Sequence, residues 1–69
     1  MTVPTHGETY AKLIEHLRLA QEDSAMLAHL RNAEGDDKGR LLAKGWLVVA
    51  EALRMMQFKV TELAKGRLQ

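Results

Sequence analysis

The histidines and serines from which a metal site or a hydroxyl nucleophile would most readily be built are few in this chain: His6, His16, His29 and Ser24, with no cysteine. On a helix, which turns about 100° per residue, the three histidines project at different angles, so no two of them share a ligand face. His16 and Asp23 fall two turns apart on one side, but two ligands without a third make a weak site, and the Glu-x-x-His pattern of di-iron bundles is absent. A solvated imidazole beside a solvated carboxylate is the reading that follows. Ser24 has no histidine one turn away to take its proton and lies on an apolar stripe, which makes it a small packing residue. The glycines at 7, 35, 39, 45 and 66 build no phosphate loop, since Gly35-Asp36-Asp37-Lys38-Gly39 sets two acids where an anion would sit. These residues point to no catalytic group, no cofactor and no metal, and the chain is expected not to be an enzyme.

Charge narrows the partners without naming one. The net charge is +1, too small for a strong nucleic-acid field. Residues 36 to 69 hold seven basic and four acidic side chains, against three and five in residues 1 to 35. The basic side chains Lys38, Arg40, Lys44, Arg54, Lys65 and Arg67 are spread along the second half and interleaved with Glu51 and Glu62, whereas phosphate tracking favours a dense patch. Nucleic-acid binding by this basic side is therefore the alternative function, behind protein docking. Leu47 and Phe58 stand out on the same side, eleven positions apart with Glu51 and Arg54 between them at helical spacing. Large apolar side chains rimmed by charge suit a docking line for a partner, so Leu47, Glu51, Arg54 and Phe58 are the candidate partner-binding residues.

Two helices must position these groups. Thr5-His6-Gly7-Glu8 fits the capping box that starts a helix, and residues 1 to 5 ahead of it read as a frayed lead-in. Tyr10, Leu13, Leu17, Ala20, Ser24 and Leu27 then recur at steps of three and four, with Ile14 and Ala28 widening the stripe. This predicts one continuous helix over about 6–33, with a break near Glu22-Asp23-Ser24 as the alternative. Gly35 is suited to a left-handed C-cap, and Asp36 or Asp37 to capping the next helix. In that second helix, predicted over about 37–65 with Gly66 as its C-cap, Leu42, Trp46, Val49, Leu53, Met56, Val60 and Leu63 form the stripe expected to face helix 1. Gly45 either admits another helix closely or is a tolerated cost of about 1 kcal/mol. The short connection makes the two rods, each about 40 Å long, antiparallel neighbours in a single helical-hairpin domain spanning 1–69.

More apolar surface remains than one hairpin can hide. Leu41, Val48 and Met55 run beside the helix-2 stripe, and Leu19, Met26 and Leu30 lie away from the stripe of helix 1. A chain of this size buries only about 60% of its unfolded surface and, without disulfides, needs another source of stability. The expectation is an all-α homodimer, a four-helix bundle whose second interface is built by those six residues. With 46% hydrophobic and 28% charged residues the composition is that of a folded protein. No signal-peptide pattern opens the chain and no run approaches 18 uncharged apolar residues, so the expected location is the cytoplasm. The functional expectation is a small interaction module, an adaptor, regulator or inhibitor, that acts through apolar helix faces.

Overall fold

The computed structural model describes the backbone of residues 5–68 and the side chains of residues 5–66; of the expected frayed segment, residues 1 to 5, the first four lie outside the described residues and Thr5 is held as the N-cap of the first helix. The chain forms two α-helices, α1 (His6–Ala33) and α2 (Asp37–Leu68), packed against each other as a hairpin. Its Cα extents are 50 × 26 × 10 Å, a slab one helix thick and two helices wide.

The ends of α1 are closed as their chemistry dictates. Thr5 is extended and its hydroxyl accepts from the Glu8 amide at 3.1 Å, satisfying one of the four unpaired donors of the first turn. The break near Asp23 does not occur: Ser24 donates to the Ala20 carbonyl at 2.8 Å, so its hydroxyl is used inside the helix and does not cap a new one. Replacing Thr5 with alanine is expected to cost about 1 kcal/mol. A thermal melt checks this, and an unchanged midpoint would mean that the cap contributes nothing to the fold.

The reversal rests on Gly35, the only described residue with positive φ, at 79°. Its amide donates to the Asn32 carbonyl and that of Glu34 to Arg31, which closes the last turn of α1. Asp36 then caps α2, its Oδ1 accepting from the Gly39 amide at 2.6 Å. Gly39 is the glycine on which the close approach depends. A Cβ there would sit on the Arg31 carbonyl oxygen, far inside van der Waals contact, and 2.8 Å from Asp36 Oδ1. At Gly45, which the sequence offered for this role, an added Cβ would meet nothing within 4 Å.

Two features of α2 depart from expectation. The helix runs through Gly66 to Leu68 instead of ending at residue 65, so Gly66 is not its C-cap; its φ is not positive, and two further residues hold helical geometry. The seam is also rotated. Trp46, Leu53 and Val60 are half-buried as expected, but their partners on the seam are Gly39, Ala43, Ala50, Gln57 and Ala64, whereas Leu42, Val49, Met56 and Leu63 are exposed. On α1 the seam holds Tyr10, Ile14, Leu17, Gln21, Ser24 and Ala28, and Leu13 and Leu27 are exposed. Small side chains explain the choice: Ser24, Ala28, Ala43 and Ala50 let the helices close near the loop, and among the described non-glycine residues they alone are buried. Ranking stripes by apolar bulk selects the wrong edge, because an interface between two helices fills with what fits between the backbones.

Among the described residues, the polar contacts across this seam come from one side chain, Gln57. Gln57 Nε2 donates to Gln21 Oε1 at 2.6 Å and stands 3.3 Å from the Leu53 carbonyl and 3.5 Å from that of Leu17. A half-buried amide pair with its bonds made pins the register of the two helices, since sliding one past the other by a turn would leave both amides unpaired.

Candidate interaction surfaces

With the seam defined, the two broad faces of the slab differ in character. On one face lie two shallow clefts. The first, about 320 Å³, is lined by Ala25, Ala28, His29, Asn32, Arg40, Ala43, Lys44 and Leu47. The second, about 350 Å³, is lined by Ile14, Arg54, Gln57, Phe58, Thr61, Glu62 and Lys65. Leu47 therefore stands at one cleft and Phe58 at the other, 55% and 65% exposed. Between them, Glu51 and Arg54 form a two-pronged ion pair, with Nε to Oε2 at 3.1 Å and Nη2 to Oε1 at 2.6 Å. The four candidate partner-binding residues thus share one face as their spacing implied, and the clefts beside them were not legible in the sequence.

Hydrogen bonding from Arg54 holds the Glu51 carboxyl below its ordinary range and raises the guanidinium in return. The same cause acts at Glu15 beside Arg18 on α1. An acid whose pKa is lowered by folding favours the folded helix above its unfolded value and loses that contribution as pH falls through the folded one. Acidification through the carboxylate range therefore frees Arg54 between Leu47 and Phe58. Both pairs are exposed and lie within a single helix, so they support helicity more than tertiary packing.

The opposite broad face is mainly apolar, with His16, Asp23, Lys38 and Lys59 its exposed titratable side chains. A residue one position before a seam residue projects 100° to its side, and Leu13, Ala20 and Leu27 of α1 and Leu42, Val49, Met56 and Leu63 of α2 all fall on the side away from the clefts. Gly45 and Ala52 lie among them. The six residues expected to form a dimer interface sit elsewhere: Leu19, Met26 and Leu30 on the outer edge of α1, and Leu41, Val48 and Met55 on the outer edge of α2, all exposed. The structure does not bring these two sets together, because the width of the hairpin separates them.

Comparison of the chain with family models, with curated proteins and with solved structures returned no match. The geometry alone carries the functional reading. Among the described residues no three His, Cys, Asp or Glu side chains gather as a metal site would require. His16 and Asp23 lie on the side of α1 turned to the apolar face, and His29 lines the first cleft. No described helix is long and apolar enough to cross a membrane.

Proposed function

We propose that this chain is a non-catalytic protein–protein interaction module, an adaptor, regulator or inhibitor, which docks a helix of its partner across Leu47 and Phe58. The observation that supports it is the pairing of each exposed apolar side chain with a cleft on the same face. Eleven residues of helix separate the two by about 16 Å, three turns of a partner helix. A partner whose apolar side chains recur at that interval would seat one beside each anchor, with the Glu51–Arg54 pair forming the charged rim between them.

The nucleic-acid alternative draws less support from the side chains. On the basic side of α2, Arg40 and Arg54 are each bonded to a carboxylate of their own helix, which lowers the positive field that phosphates would meet there.

A photo-crosslinking residue at position 58, expressed in cells of the source, is expected to yield a discrete adduct heavier than any multiple of the chain. The same residue at position 12, on the other side of α1, should yield none. Replacing both Leu47 and Phe58 with alanine and placing the crosslinker at position 62 should abolish the adduct while the melting midpoint moves by no more than about 0.5 kcal/mol equivalent. Docking of this kind persists at 0.5 M salt, whereas phosphate binding falls steeply. Loss of several kcal/mol in the double variant would show that Leu47 and Phe58 are core residues and end the docking proposal.

A further inference from the structure

We infer that a second copy of this chain covers the apolar broad face, antiparallel to the first, about a two-fold axis that crosses α1 at Ala20 and α2 beside Ala52. The inference concerns the face opposite the clefts and does not depend on what docks at Leu47 and Phe58.

Surface area supplies the first argument. The chain exposes 5619 Å², whereas a folded monomer of its 7.8 kDa mass exposes about 4,400 Å². The excess, about 1,200 Å² over the whole elongated chain, is of the order that each partner contributes to a stable dimer of the larger, more apolar kind. The seam cannot be the whole core, since no large side chain is fully buried in it.

Self-complementarity supplies the second. A two-fold interface requires residues to pair about a common centre. On α1, Leu13 and Leu27 are each seven residues from Ala20. On α2, Leu42 pairs with Leu63 and Val49 with Met56 about a centre between Ala52 and Leu53. The two centres lie on separate helices, and the fold brings them within about half a helical turn of each other. Gln57 leans toward the N-terminus of α2, as helical side chains do, and reaches Leu17 and Gln21, so the turn 17–21 of α1 lies beside the turn 53–57 of α2. One axis therefore serves both helices. Leu13 then packs over Leu27 of the second copy, and the small Ala20 and Ala52 at the axis let the two hairpins approach closely, with Gly45 leaving further room on the same face.

Charge supplies the third. His16 and Asp23 are the polar side chains closest to the middle of this face, and they too are spaced about the same centre. The axis sets His16 of each copy opposite Asp23 of the other, so two polar groups that would be unmatched under an apolar partner face complementary ones twice.

The absence of cysteine makes the test direct. Sedimentation equilibrium of the unaltered chain at micromolar concentration is expected to give twice the chain mass. Ala20→Cys, a small-for-small change, should convert most of the chain to a disulfide-linked dimer under mild oxidation. Leu13→Cys alone should cross-link at most a tenth as fast, because its own equivalent lies about 20 Å away across the axis, at 1.5 Å per residue. Mixing it with Leu27→Cys should restore fast cross-linking. Val48→Cys, on the outer edge, serves as the background rate. A monomer by sedimentation would overturn the dimer itself. A dimer in which Val48→Cys or Phe58→Cys outpaces Ala20→Cys would overturn this face while leaving dimerisation intact.

Discussion

Leu53→Asp is expected to abolish the cooperative helical fold. Leu53 lies mid-seam, half-buried, and its carbonyl stands 3.3 Å from the Gln57 amide that ties α2 to α1. A carboxylate placed there has no cationic partner on the facing stripe of Tyr10, Ile14, Leu17, Gln21, Ser24 and Ala28. Burying it unpaired costs several kcal/mol, and protonating it to avoid that cost still leaves a polar group in an apolar seam. The whole stability of a small domain is of that order. Lys44→Asp, at an exposed position beside the first cleft, should leave the fold intact. Circular dichroism of the two variants checks the pair, and matching melting points would show that the seam has been placed on the wrong side of α2.

Gly39→Ala and Gly66→Ala are expected to change stability in opposite directions, although both remove a helical glycine. At Gly39 the added methyl meets the backbone carbonyl of Arg31, which cannot swing aside without opening the last turn of α1. Overpacking of this kind costs about 1–3 kcal/mol, more than the helical preference of alanine returns. At Gly66 nothing lies within 4 Å, so alanine should stabilise by up to about 1 kcal/mol. In a domain of this size each kcal/mol moves the midpoint by about 4–8 °C, which separates the two variants clearly in a melt. If Gly66→Ala proved the more damaging, Gly66 would be acting as a left-handed cap and the last turns of α2 would not be helical in solution.

The clefted face and the apolar face make separable demands on the same two helices. α2 carries Leu47 and Phe58 to one side and Leu42, Val49, Met56 and Leu63 to the other, leaving only small or slender side chains for much of its contact with α1. A narrow seam is the physical consequence of a helix with apolar obligations on three sides. Its stability is correspondingly modest, and that ties the fold to whatever covers the remaining surface.

Local chemistry was sufficient, from sequence alone, for the helix boundaries near the loop, the Thr5 cap, a cap at Asp36 or Asp37, the left-handed Gly35 and the antiparallel hairpin. Each depends on residues within a few positions of one another, where backbone hydrogen bonding and steric limits act without reference to the rest of the chain. The sequence also placed Leu47, Glu51, Arg54 and Phe58 on one face, because helical periodicity alone brings them there. Which stripe of α2 meets α1 was decided only by the tertiary structure. Trp46, Leu53 and Val60 belong equally to the repeat that includes Leu42, Val49 and Met56 and to the one that includes Ala43, Ala50 and Gln57. Apolar bulk favours the first repeat, whereas closure of the hairpin favours the second, since Gly39 against Arg31 at the loop brings the backbones close and the positions most deeply buried in the turns that follow, Ala43 and Ala50, are small. The strict seven-residue recurrence of Ala43, Ala50, Gln57 and Ala64 opposite Ile14, Gln21 and Ala28 was present in the sequence, but its meaning depends on the distance between two backbones, and that distance exists only once the chain has folded.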